Sequence, residues 1–328
     1  MIPIFEPYVV GNEKKYLIEC AETEWFSSRG PFVEKFEKLL SDYIGVKYAL
    51  STSNCTTALH LALKAIGIEQ GDEVICPALT FISPIHMVSL AGATPVLVDI
   101  EEDTWNIDPQ KVKESITNKT KAILVVHAFG HSAKMDKILN IAKENNLYII
   151  EDVAEALGAT FEDKNLGSMG HISCFSFFGN KIITSGEGGM ALTNDKVLYK
   201  KMYSLREYGS NKEEKYLYDS VGFNYRMANM QAAVGLAQLE KLDKILKIRD
   251  QQLSIYQELL SKLPNVMVRP KFDWGRSVHW LMTLLLEKEN IRDSLMERIE
   301  ISNVETRKMI YPVYHSKPYT SLGKKTNF

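Results

Sequence analysis

AILVVHAFGHSAKMDKILNIAKENNLYIIED, residues 122–152, reads as one complete strand–helix–strand unit. Residues 122–126 form a short apolar run, too short for a buried helix and bounded by polar sequence, so a strand is predicted there. A helix is predicted near residues 135–144. LYII, residues 147–150, is a second apolar strand that ends on Glu151-Asp152. The same alternation continues outward, with strands predicted at 48–51, 73–76, 95–98, 172–177 and 189–193, and helices at 56–66 and from about 83. Alternating strands and helices imply an α/β domain with a mostly parallel central sheet flanked by helices.

Upstream, residues 31–44 open on Pro31 and place Phe32, Phe36, Leu39, Leu40 and Tyr43 on one helical stripe. Downstream, residues 228–263 read as one long amphipathic helix bridging two lobes, followed by a strand at 278–286, a helix at 291–299 and a short strand at 304–307. A chain of 328 residues exceeds one ordinary domain. The expected organisation is a large domain over 1–245 and a smaller C-terminal α+β lobe over 246–328.

Composition narrows the function. Hydrophobic residues make up 45% and charged residues 24% of the chain, and the net charge is −2. A disordered chain is excluded, and no basic block is present to grip nucleic acid. Cys20, Cys55, Cys76 and Cys174 form no C-x-x-C pair, which fits a reduced, cytosolic setting. The N-terminus does not read as a signal peptide, and no apolar run approaches membrane length. Metal-ligand spacing, a G-x-S-x-G elbow, a Walker loop and a dinucleotide fingerprint are all missing.

Four segments carry chemistry. Asp152 follows a strand of a parallel sheet, the edge where such sheets bind ligands; there it either caps the next segment or faces a buried cation such as a protonated pyridine nitrogen. In SFFGNKIITSGEGGM, residues 176–190, a strand ends in a Gly-Asn turn presenting Lys181. A lysine so placed is either a surface residue or, once desolvated, an amine able to attack an aldehyde. Residues 53–57, SNCTT, form a strand-to-helix junction suited to phosphate or simply to helix capping. Asn224, Tyr225 and Arg226 form a polar cluster before an apolar helix. His60 reads as a core or boundary residue, whereas His127 and His131 flank Phe129-Gly130 at a strand end and are candidates for lining a pocket.

Together, SSRGPFVEKFE (27–37), STSNCTTALHLAL (51–63), GDEVICPALTFISP (71–84), GATPVLVDIEEDTWNID (92–108), VVHAFGHSAKMD (125–136), IIEDVAEALGA (149–159), SFFGNKIITSGEGGM and GFNYRMANMQAAVGLAQLEKLD (222–243) resemble, in order, the DegT/DnrJ group of nucleotide-sugar aminotransferases. These are fold-type I enzymes that use pyridoxal 5′-phosphate (PLP). The resemblance implies that Lys181 is the Schiff-base lysine and proton shuttle, and that Asp152 is the partner of the pyridine nitrogen. It places Glu155 near the PLP 3′-oxygen, stacks Phe81 on the ring and assigns Asn54, Cys55, Thr56 and Ser176 to the phosphate. Asn224 matches a phosphate contact from a second subunit, which implies a homodimer with shared active sites. Ser28, Arg29, Arg307 and His315 match segments that surround the nucleotide-sugar.

The implied reaction is transamination of a nucleotide-linked 4-keto-6-deoxy sugar with glutamate as donor. SSRG and the last two of these segments look most like the branch that converts GDP-4-keto-6-deoxymannose to GDP-perosamine. A UDP- or dTDP-linked substrate, amination at C3 and a non-catalytic paralogue are the alternatives. Deoxygenation is disfavoured because dehydratase relatives carry histidine where Lys181 stands. Two departures stand out: Cys55 occupies a position where relatives carry glycine, and the family's closing segment does not follow KKTNF, residues 324–328, so the small lobe is expected to be incomplete.

Overall fold

The computed structural model describes residues 1–211, 213–269 and 272–323. In chain order its elements are helices α1 (Glu13–Glu22) and α2 (Pro31–Ile44), strand β1 (Tyr48–Thr52), α3 (Cys55–Ala65), β2 (Glu73–Pro77), α4 (Ser83–Leu90), β3 (Thr94–Val98) and α5 (Pro109–Glu114). They continue with β4 (Thr120–Val126), α6 (Met135–Glu144), β5 (Tyr148–Asp152), the two-residue strands β6 (Thr160–Phe161) and β7 (Lys164–Asn165), β8 (Ile172–Ser176) and β9 (Gly189–Thr193). Last come α7 (Lys196–Arg206), α8 (Asn229–Leu239), α9 (Leu242–Leu260), β10 (Val266–Val268), β11 (Leu284–Leu286), α10 (Arg292–Ile301) and α11 (Thr320–Gly323).

Seven strands form one sheet in the order β1-β9-β8-β5-β4-β2-β3, in which only β9 runs against its neighbours. The apolar runs explain this burial. In β4, Ile123 and Val125 enter one hydrophobic cluster while Ala122, Leu124 and Val126 enter the other. Alternate side chains of a strand leave opposite faces, so an uninterrupted apolar run needs cover on both. The mainly parallel α/β sheet agrees with the sequence reading.

Three predicted elements differ. The helix expected over 228–263 is broken between α8 and α9. Its apolar stripe continues across the break, but Glu240 is held from outside, accepting hydrogen bonds from Asn12 Nδ2 at 2.8 Å and Tyr16 Oη at 2.7 Å. Of the strand expected at 278–286 only β11 pairs, with β10. The preceding residues turn away: Val278 N donates to Gly130 O at 3.0 Å and His279 adopts φ +44. At 304–307 there is a single bridge between Ile2 and Val304. The last described segment returns to the main sheet, where Val313 N donates to Ala78 O at 2.7 Å and Tyr319 Oη lies 3.3 Å from Ser89 Oγ. No helix among the described residues is long and apolar enough to cross a membrane.

Candidate active site

The sheet collects the chemistry at one edge. Strands β1, β8, β5, β4 and β2 all end there, and β9 starts there, with Gly189 paired to both Thr52 and Ser176. Asp152, at the end of β5, is paired with Val126 on one side and Cys174 on the other. It is 5% exposed, and its Oδ1 accepts a hydrogen bond from Ala154 N at 2.9 Å. Residues 153–158 form turns rather than a helix, so this bond closes a local Asx turn. Burial pushes the Asp152 carboxyl above the ordinary aspartate range, and the Ala154 amide, Lys181 and His127 pull it only partly back. A carboxyl in that position favours a further cation.

Lys181 Nζ stands 3.9 Å from Glu155 Oε1, and its side chain is 14% exposed. The turn that presents it is tied down by its own backbone: Lys181 N donates to Phe178 O at 2.9 Å and Ser185 N to Phe177 O at 2.9 Å. Glu155 Oε2 accepts from Phe129 N at 2.7 Å. Burial raises the Glu155 carboxyl above its usual range despite Lys181 and that amide. The charges of Asp152 and Lys181 are both felt at Cys55, although burial is what raises its thiol most. Thus α3, β5 and the 176–190 turn converge on one place.

At the junction before α3 the Asn54 side chain is committed to the helix: its Oδ1 accepts from Thr57 N at 2.9 Å. The amides of Cys55 and Thr56 open the helix, have no intrahelical acceptor and suit an anion. Thr56 Oγ1 lies 2.7 Å from Ser83 Oγ, and Ser53 N donates to Tyr225 O at 2.9 Å. Beyond β2, the Thr80 hydroxyl is buried without a hydrogen-bond partner, and the adjacent Phe81 ring is 60% exposed. An anion-ready helix start, an unsatisfied hydroxyl, an open aromatic face, a buried carboxyl short of cations and a half-shielded lysine fit PLP.

Gly189 packs against this junction so closely that a Cβ there would stand 2.3 Å from Asn54 C and 2.4 Å from Cys55 N. Gly189→Ala should therefore displace the start of α3, costing about 1–3 kcal/mol of stability and weakening PLP retention. Urea unfolding and cofactor absorbance after dialysis read the two effects; a variant that matched the wild type in both would refute this role.

Other expected contacts lie apart. Asn224 is exposed and its Oδ1 accepts from Arg226 Nε at 2.9 Å. Arg29, Arg307 and His315 are exposed and Ser28 is half-buried. None of these four makes a hydrogen bond or ion pair with Asp152, Glu155 or Lys181 among the described residues. His60 is buried with its Nδ1 3.1 Å from Tyr225 Oη, as a boundary histidine should be.

The pocket role considered for His127 and His131 is not what the structure shows. Both are buried. His127 Nδ1 accepts from Ala133 N at 3.2 Å, so its Nε2 carries the proton toward Glu151 Oε2 at 3.1 Å. Glu151 also accepts from the amides of Gly167 and Met169, each at 2.9 Å, and of Gly170 at 2.5 Å. His131 stacks on Phe272 with ring centroids 4.6 Å apart.

Sequence reasoning missed the group that shapes the turn after β4. Phe129 has φ +52, a conformation unfavourable for a bulky residue. It persists because the surroundings over-determine it. Its amide bonds Glu155, while Arg269 Nη2 donates to its carbonyl at 2.9 Å. Its ring packs edge-on to Trp105 and stacks with Trp280. Trp280 also lies under Lys181, with Nζ 3.8 Å from the ring centroid. No local pattern marks either tryptophan, because their partners lie far away in the chain.

Comparison with known proteins identifies the family. The model of the DegT/DnrJ/EryC1/StrS aminotransferase family matches residues 7–328. The chain is 46% identical over 325 residues to the GDP-perosamine synthase of Caulobacter vibrioides, covering 98% of this chain and 88% of that protein. It is 41% identical to the GDP-perosamine synthase of Escherichia coli O157:H7, covering 99% of this chain and 88% of the relative. The PLP-form structure of the putative sugar aminotransferase Spr1654 from Streptococcus pneumoniae superposes with a TM-score of 0.92 at 25% identity, covering 98% of this chain and 88% of that one. The chain belongs to the DegT/DnrJ/EryC1/StrS aminotransferase family and is a PLP-dependent aminotransferase.

Proposed function

We propose that this enzyme transfers the amino group of glutamate to C4 of GDP-4-keto-6-deoxymannose, giving GDP-perosamine. The observation that carries the substrate is the 46% identity with a GDP-perosamine synthase across 98% of the chain. The catalytic assignment rests on the convergence of Lys181, Asp152 and Glu155 at one sheet edge.

In this reading Asp152 would hold the ring nitrogen of PLP, Glu155 would serve its 3′-oxygen, and the Phe81 ring would cover one face. The Cys55 and Thr56 amides and Ser176 would hold the phosphate, while Asn54, whose N–H donates to Thr57 Oγ1 and whose Oδ1 accepts from Thr57 N, would fix the helix start beside it. PLP bound there supplies an electron sink for the carbanion. Lys181 Nζ would move one proton between the substrate carbon and the C4′ carbon of the cofactor, acting first as base and then as acid. Its half-shielded position keeps that proton from bulk water. Ser28, Arg29, Arg307 and His315 contact the nucleotide-sugar. Asn224 of a second copy completes the phosphate site, so the working unit is a cytoplasmic homodimer, each protomer divided into domains at 1–245 and 246–328.

The test is glutamate-dependent amination across GDP-, UDP- and dTDP-linked keto sugars, with product position read by NMR. Turnover confined to the GDP-4-keto sugar supports the proposal; a preference for another nucleotide, amination at C3, or no turnover at all refutes it. Asp152→Asn should keep PLP yet lose most turnover, because a neutral amide does not hold the ring nitrogen protonated. Near-normal rates in that variant would refute the role of Asp152.

A further inference from the structure

Trp280 grips the lysine turn twice. Its indole Nε1 donates to the Asn180 carbonyl at 2.5 Å, fixing the backbone immediately before Lys181. Its ring face lies under Lys181 Nζ, 3.8 Å from the centroid. At that distance an ammonium is attracted by the negative face of the indole, the strongest cation-binding ring among the side chains. Nζ also meets Glu155 Oε1 at 3.9 Å.

The tryptophan is itself held. It is 7% exposed and stacks on Phe129, with ring centroids 6.4 Å apart and planes inclined by 21°. Its backbone runs against Gly130, where a Cβ would meet His279 N at 2.9 Å and Trp280 N at 3.0 Å. Phe129 in turn holds Glu155 through its amide. Trp280, Asn180, Lys181, Glu155 and Phe129 therefore close a ring of contacts around one amine.

The lysine of a PLP enzyme must leave the cofactor when a substrate amine replaces it, and it then needs a defined place from which to act. Taking Lys181 as that lysine, which rests on the proposed function, we propose that Trp280 is a positioning residue whose ring face, together with Glu155, is the resting site of the free Lys181 ammonium. The contact comes from a segment far from Lys181 in sequence, between α9 and β11. Seating of that segment thereby sets where the amine waits.

The experiment uses the full-length apoprotein and reads acetylation of Lys181 by acetic anhydride at fixed pH, by peptide mass spectrometry. Trp280→Leu should raise the Lys181 rate by about 2- to 30-fold, the range expected when a cation–π contact is lost, while distant lysines such as Lys38 remain unchanged. Trp280→Phe keeps a ring without the N–H and should lie between. Because a substitution here risks misfolding, fluorinated tryptophans placed only at position 280 provide an isosteric series. Each added fluorine weakens the ring face, so the Lys181 rate should climb stepwise at unchanged thermal stability. A rate that does not respond to fluorination would overturn the proposal.

A second readout is kinetic. Trp280→Phe should lower kcat for amination more than it raises KM for the sugar, because the ring acts on the lysine; an effect on KM alone would also overturn the proposal. The acetylation assay needs neither cofactor nor substrate. Failure of the proposed function would show as absent nucleotide-sugar turnover with the fluorination series intact, whereas failure of this inference leaves turnover and removes the series.

Discussion

Turnover of Lys181→Ala should fall by about 10²- to 10⁴-fold, the contribution of a positioned acid–base group, and borohydride should no longer fix PLP to the chain. The amine is the group at the sheet edge suited to both tasks. Its side chain is 14% exposed, so it is shielded from water, and it meets both Glu155 and the Trp280 ring. Neighbouring Asp152 and Glu155 are carboxyls that burial has raised, and neither is a nucleophile for an aldehyde. In the wild-type protein, borohydride followed by peptide mapping should place the cofactor on Lys181. Label on another lysine, or undiminished turnover of the alanine variant, would overturn the assignment. Lys181→Arg separates charge from nucleophilicity: it keeps a cation over the ring but should be as inactive as alanine.

The largest expected effect on stability comes from Glu151→Gln, which should lower the unfolding free energy of the apoprotein by about 3–5 kcal/mol. Glu151 is fully buried, on the opposite face of β5 from Asp152. Four donors converge on it: His127 Nε2 and the amides of Gly167, Met169 and Gly170. Glutamine would turn an N–H₂ group toward some of these donors and leave them unsatisfied. Burial alone would raise this carboxyl, but the His127 bond and the backbone amides outweigh it and bring it below the ordinary value of 4.5.

The sign of the pH effect follows. A folded-state value below the unfolded one stabilises the native chain above the unfolded value, and that stability is lost as pH falls through the folded value. The gap between wild type and Glu151→Gln should therefore be full at pH 7 and shrink below about pH 4.5. Urea unfolding across that range checks it; a gap that stays constant would show that Glu151 is not held as an anion. Substrate affinity at pH 7 should change little in molecules that remain folded, because Glu151 braces the 167–170 turn and His127 rather than facing the site.

Much of the site was legible in the chain itself. Asp152 and Lys181 stand at the ends of apolar runs, and a strand end in a parallel sheet is where ligands bind. Residues 53–57 announce a helix start through their small polar side chains. The glycines after Lys181 mark a tight turn, and at Gly189 the structure supplies the reason, since the backbone of Asn54–Cys55 leaves no room for a side chain. For the strand ends, the helix start and the turn, local pattern was sufficient because they depend on neighbours a few residues away, whereas the contact that requires Gly189 comes from a segment remote in sequence.

Other features were not readable in this way. The 228–263 stretch keeps its apolar stripe through the break that Asn12 and Tyr16 hold at Glu240. His127 stood as a candidate for lining a pocket because its acceptor, Glu151, lies on another strand. Phe129, Arg269 and Trp280 gave no signal at all. Their roles exist only when the turn after β4, the lysine turn and the segment before β11 are packed together.

By itself the sequence determined the mainly parallel α/β sheet and its strand ends, including the one that carries Asp152 and the one that leads into the Lys181 turn, since periodicity and strand-end position are local properties of the chain. Tertiary structure alone decided what meets Lys181, the Trp280 ring and the Glu155 carboxyl, and paired His127 with Glu151 in the core. Those contacts join segments remote in sequence, and an ion pair or a ring face acquires its energy only from the burial and distance that folding imposes.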